Sequence, residues 1–195
     1  MKKVMIAAAI AGCASVSGAQ NFSLFLVPSV TAPAPSSSFT LTVYGDADVG
    51  THLLGGAFSI ESNGECVQSM QWMPAAWSAF NTDGGYAGDG DYNQVVFGQL
   101  VIPGIFPPAP GSENGSHIGS FLVQLDPAIG DFSITFDLVA ASPFTLETVD
   151  AVSGETYQSS NGNLTLGSAT VAIIPAPGVL SLIGLGGLAA SRRRR

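Results

Sequence analysis

Residues 132–138 read FSITFDL. In an extended chain Phe132, Ile134, Phe136 and Leu138 fall on one face, and Ser133, Thr135 and Asp137 on the other. No helix can sort this stretch into an apolar and a polar side, so a half-buried strand is the reading that fits. The same period of two recurs along the chain. Phe39, Leu41 and Val43 alternate with threonines, Phe58 and Ile60 flank Ser59, and Phe121, Val123 and Leu125 form another set. Residues 66–72, 94–102, 144–149 and 163–173 are further strand candidates, separated by Gly, Asn, Asp and Pro clusters. No long stretch sustains a 3.6-residue period, and residues 74–80 could form one helical turn at most. About eight strands with one apolar face each must bury those faces against one another. The expected fold is all-β: an antiparallel β-sandwich, jelly-roll-like, over residues 38–174. Residues 20–37, with Pro28, Pro33 and Pro35, read as an extended lead-in. Residues 102–117, with four prolines, read as a long surface loop.

Charge placement narrows the function. All six basic residues lie at the ends, at Lys2, Lys3, Arg192, Arg193, Arg194 and Arg195, while the fourteen acids all lie between them. A body without Lys or Arg cannot grip nucleic-acid phosphates or an anionic membrane surface. Salt bridges to Lys or Arg are also absent from its stability, which falls to apolar burial and hydrogen bonding. Polyanionic glycans are poor ligands for such a surface, and neutral glycans, cations or proteins are better ones.

Catalytic motifs are missing. The histidines are His52 and His117, and neither a GxSxG elbow nor an HExxH helix occurs. A secreted hydrolase acting on exopolysaccharide, with His117 or a carboxylate pair in its site, is the alternative to a non-enzymatic module. For a bound ion, NTDGGYAGDGDYN (81–93) offers Asp83, Asp89, Asp91 and Asn93 as hard oxygen ligands on a glycine-rich loop, the chemistry Ca²⁺ prefers. It starts like an EF-hand loop and departs at Gln94 and Leu100. Asp46 and Asp48 could contribute to a second such site, and acidic turns without an ion produce the same pattern. Of the two tryptophans, Trp72 alternates with Met70 and suits the core, and Trp77 is the one expected to serve as a ligand platform. Cys66, in an alternating apolar segment, suits a buried thiol.

The ends carry addresses. MKKVMIAAAIAGCASVSGAQ has two lysines, an apolar run and small residues, which makes residues 1–19 a secretory signal peptide cut between Ala19 and Gln20 by signal peptidase. The rival is a lipoprotein box ending at Cys13, whose preceding apolar segment is short. The last residues, PAPGVLSLIGLGGLAASRRRR, hold a twelve-residue apolar run at 179–190. As a helix it reaches about 18 Å, against the roughly 30 Å of a bilayer core. This segment can therefore insert transiently, as a short hydrophobic helix, with its arginines on the cytoplasmic side.

That order of prolines, apolar run and arginine cluster resembles the PEP-CTERM sorting signal of exported Gram-negative proteins. The resemblance covers residues 175–195. It implies that Pro175 and Pro177 are recognition prolines, that Arg192, Arg193, Arg194 and Arg195 retain the chain, and that an exosortase-type enzyme processes it. Ala176 stands where that family has Glu. The implied destination is the cell surface or the extracellular matrix. In the body, FTLTVYG, LLGGAFSIES, GSHIGSFLVQL and NLTLGSATVAI resemble, in order, segments of cohesin-like and carbohydrate-binding sandwiches. The expected function is an acidic, non-enzymatic binding or structural module at the cell surface, with extracellular polysaccharide or surface proteins as partners, Ca²⁺ as the cofactor it could take, and no nucleic acid.

Overall fold

A computed structural model of the chain describes residues 20–127 and 132–174. The signal peptide, the sorting signal with its short helix, and the processing residues Ala19, Pro175, Pro177 and Arg192 to Arg195 lie outside the described residues. Among the described residues the regular structure is β, apart from one short 3₁₀ turn at Ser159–Asn161, and no helix is long and apolar enough to cross a membrane.

Thirteen strands run in chain order: β1 (Asn21–Pro28), β2 (Ser38–Ala47), β3 (His52–Ser62), β4 (Val67–Pro74), β5 (Thr82–Asp83), β6 (Tyr86–Gly88), β7 (Asp91–Gly98), β8 (His117–Leu125), β9 (Ser133–Ala140), β10 (Glu147–Val149), β11 (Thr156–Gln158), β12 (Asn163–Leu166) and β13 (Ser168–Ala172). The first sheet has the order β12-β1-β2-β8-β4. In the second sheet β3 is central. It pairs with β7 on one edge and with both β9 and β10 on the other, where β13 extends β9 and β11 extends β10. The two sheets form an all-β sandwich. Its pairing is antiparallel except where β12 runs parallel to β1, matching Asn21 to Asn163 and Leu24 to Leu166.

The alternation in the sequence becomes the core. Phe22, Leu24, Leu41, Val43, Phe121 and Val123 point inward from the first sheet, and Phe58, Ile60, Val95, Ile134 and Phe136 from the second, all nearly inaccessible. Aromatic rings cross the gap edge to face, with Phe39 and Phe136 centroids 6.2 Å apart and Phe58 and Trp72 5.7 Å apart. Cys66 is buried in this core, as its sequence context suggests.

Several boundaries differ from expectation for physical reasons. Residues 21–28, taken as part of an extended lead-in, form β1. Phe22, Leu24 and Leu26 alternate there, and Pro28 sits at the strand end, where a missing N–H costs little. Residues 163–173, taken as one strand, are two. At Gly167 the chain leaves β1 and joins β9, so the closing strand serves both sheets. A Cβ at Gly167 would lie 3.1 Å from the Phe25 Cβ, so the crossing runs close against β1. Of residues 74–80, Pro74 ends β4 and the rest make a turn, not a helix, and β7 stops at Gly98. Residues 102–116 are a loop, one residue shorter than expected because His117 opens β8, and an Ile102–Phe106 bridge tightens it.

Candidate binding face

The expected calcium ligands do not converge. Asp83 pairs with Val95 of β7, whereas Asp91 opens that strand four residues earlier, about 13 Å away at ~3.3 Å per residue. One oxygen each of Asp83 and Asp91 already has a backbone or hydroxyl donor. Asp83 Oδ1 accepts from the Tyr92 hydroxyl at 2.6 Å and from the Gly85 N–H at 2.9 Å. Asp91 Oδ1 accepts from the Ser62 N–H at 2.7 Å. Asn93 donates to the Gly84 carbonyl, and Asp89 holds a left-handed turn at φ 52°. Among the described residues no three His, Cys, Asp or Glu side chains form a metal-holding group. Asp83 fastens the β5–β7 pairing, and Asp91 ties the start of β7 to β3. Asp48, the other candidate, fastens β1 by accepting from the backbone and side-chain amides of Asn21, which hold its carboxyl below the usual range.

Trp77 is not a platform. It is 4% exposed, packs edge-on against Phe97, and donates from Nε1 to the His117 carbonyl at 2.8 Å. Its burial pins the turn after β4, and that turn presents Phe80, 61% exposed, to solvent. Ala79 and Phe80 both donate their N–H groups to the Gly98 carbonyl, and the Ser78 hydroxyl accepts from the Gly98 N–H. The sequence signal for Phe80 was its place three residues after a buried tryptophan, on a turn too short to hide both rings. His117, the hydrolase candidate, supplies that backbone carbonyl. His52 contacts Thr51 Oγ1, and no acid–histidine pair appears among the hydrogen bonds of the described residues.

Phe80 forms one wall of a groove of about 280 Å³ on the outer face of the second sheet. Gly55 and Gly56 of β3 and Gly98 of β7 make its floor. A Cβ at Gly56 would lie 2.1 Å from the Thr145 carbonyl oxygen, and one at Gly55 2.9 Å from the Phe97 carbonyl. Only glycine lets the neighbouring segments approach this closely, and the result is a floor of bare backbone. Val96, Pro143 and Phe144 complete the apolar walls, with Gln94 and Glu147 at the edge. Beyond it, Gln99 donates to the Leu53 carbonyl at 2.6 Å and accepts from the Ala109 N–H at 2.8 Å, clipping down a loop whose Leu100, Ile105 and Phe106 are exposed. The outer face of β3, β7 and β9 thus joins an apolar trough to acidic positions, among them Glu61 directly opposite Asp137. Such a face can bind by shape and apolar burial.

No protein-family model matches the chain, and no curated protein is similar to it in sequence. Solved structures are similar in fold. A chain of a type I cohesin–dockerin complex from Clostridium thermocellum is 10% identical, with a TM-score of 0.50, over 78% of this chain and 99% of that one. A type II cohesin from Bacteroides cellulosolvens is 15% identical, with a TM-score of 0.50, over 79% of this chain and 99% of that one. At these identities the likeness extends to architecture: the chain is a two-sheet, cohesin-like β-sandwich.

Proposed function

We propose that the chain is an exported, non-catalytic docking module that binds a protein partner through the outer face of its second sheet. The observation that carries this reading is the groove floored by Gly55, Gly56 and Gly98 between Phe80 and Phe144. It is an apolar recess on a body that has acids but no Lys or Arg. The complementary partner presents an apolar side chain to the trough, ringed by lysines or arginines that meet Glu61, Asp137 and Glu147. One of the similar solved structures is a cohesin–dockerin complex, and a dockerin-like module is the partner proposed by that likeness. Titration of the purified protein with a panel of recombinant dockerin modules tests this. Saturable binding that weakens in Phe80→Ala and with rising salt is the expected result. Binding by no module, or binding indifferent to Phe80, refutes it.

The ends supply the destination in this proposal. Residues 1–19 direct export, and residues 175–195 direct exosortase-type processing and delivery to the cell surface or matrix. An intact-mass measurement on protein from its host is the check. A form starting near Gln20 and lacking Arg192 to Arg195 supports the route, and a retained arginine tail refutes it.

A further inference from the structure

The outer face of the first sheet differs from the rest of the surface. Its strands β1, β2, β8 and β4 lie side by side, with register shifts at Val43/Tyr44 and Val67/Ser69, and across its middle Val27 lies opposite Thr42, Thr42 opposite Ser120, and Ser120 opposite Met73. Along the strands the outward positions alternate with the buried core set, so they form one array on the outer face. At ~4.8 Å between strands and ~3.4 Å per residue, the array spans roughly 450 Å². Phe25, Val27, Leu122 and Met73 on it are each 39–44% exposed. Phe25 and Tyr44 lie directly opposite one another with rings stacked at 5.3 Å and 9° between planes. Hydroxyls and amides fill most of the remaining positions, ordered by cross-strand bonds from Ser120 to Thr42 and from Ser38 to Gln124, and exposed His117 lies opposite Tyr44. The interior of this array carries no charged side chain. The carboxylates stand at its two ends, Asp46 near the finish of β2, and Glu65 and Asp126 beside the starts of β4 and the finish of β8.

We infer that this face binds neutral polysaccharide. The exposed parts of the stacked aromatic pair and the apolar groups provide contact for the C–H faces of sugar rings, and the ordered hydroxyls and amides meet sugar hydroxyls. The charge pattern selects among occupants. The acidic ends repel a polyanionic polymer. A second copy packed on the same face would set its own carboxylates against Asp46, Glu65 and Asp126, with no Lys or Arg in the body to relieve them. A neutral polymer meets neither obstacle. This face is opposite the glycine-floored groove, so the inference stands or falls apart from the docking reading.

Sedimentation of the purified protein with microcrystalline cellulose, chitin, insoluble amylose and alginate gel tests the inference. Retention by at least one neutral polymer and not by alginate is expected. Retention by that polymer falls about five- to tenfold in Phe25→Ala and in Tyr44→Ala, the effect of losing one aromatic contact. Phe25→Trp, which enlarges the contact, restores or raises it, and Phe80→Ala leaves it unchanged. The inference is overturned by retention on none of the neutral polymers, by preference for alginate, or by retention indifferent to both aromatic variants. It is also overturned if the protein forms a concentration-dependent dimer that Phe25→Ala disperses.

Discussion

Tyr92 gives the sharpest test of how the body holds itself together, since residues 20–174 contain no Lys or Arg. Its side chain is 3% exposed and lies edge-on to Phe121. Its hydroxyl donates to Asp83 Oδ1 at 2.6 Å and accepts the Trp72 N–H at 3.3 Å. One phenol therefore links β7 to β5 and reaches across to β4 of the other sheet. Burial first, and the bond to Asp83 second, push the hydroxyl up from 10.0 to about 12. A phenol that ionises later in the folded chain than in the unfolded one stabilises the fold fully below pH ~10. That stability drains away as pH rises from 10 to 12, and two pH units at ~1.4 kcal/mol each make it about 2–3 kcal/mol. Tyr92→Phe removes a bond to a carboxylate and strands a buried N–H, which together cost about 2–4 kcal/mol at pH 7. Urea unfolding followed by the fluorescence of the buried Trp72 and Trp77, at half-unit steps from pH 7 to 11.5, measures both effects. Wild type loses stability faster than Tyr92→Phe above pH 10, and the two curves converge. Parallel curves, or a variant within ~0.5 kcal/mol of wild type at pH 7, refute the reasoning.

Other outcomes follow from the same structure. Gly56→Ala drives a methyl group against the Thr145 carbonyl and costs about 1–3 kcal/mol, seen as a lower melting temperature. Trp77→Ala destabilises by about 3–5 kcal/mol, whereas Phe80→Ala changes unfolding by less than ~0.5 kcal/mol and acts on partner binding alone. Asp48→Asn lowers stability at neutral pH, because the carboxylate held by Asn21 is lost. That carboxyl lies below its usual 3.8, so its contribution is present above that pH and lost as pH falls through the folded value. The gap between wild type and Asp48→Asn in thermal melts should close on acidification.

Much of the fold was legible because burial follows a period of two. Phe39 to Val43, Phe121 to Leu125 and Ile134 to Leu138 read as strands and are strands, because each side chain's face is set by its own parity. Where the reading failed, a second influence overrode that parity. Pro28 and its neighbours masked β1, although Phe22, Leu24 and Leu26 already alternated. Gly167 divided a strand whose two halves look alike in sequence but pair with different sheets. The binding face was less legible. Aspartate and glycine in 81–93 serve a hairpin as readily as an ion, and the choice depends on which backbone amides lie within reach. Trp77 and Phe80 cannot be ranked by type, since the turn decides which ring faces inward. The groove is invisible to pattern, because its floor consists of glycines that only the packing of Thr145 and Phe97 makes necessary.

The crossing at Gly167 also bears on when the fold can exist. β1 is the first strand of the sandwich and β12 its last but one, yet they are partners, with Asn21 facing Asn163. Until residues 163–172 arrive, β1 and β9 both stand with open edges, and nothing joins the sheets along that side. Closure therefore waits for nearly the whole body, and pairings across such long loops form slowly. A chain passing lengthwise through a secretion pore would cross it unfolded and assemble on the far side. Truncation ahead of Asn163 would leave a sticky intermediate with β1 and β9 both open, rather than a smaller version of the same module.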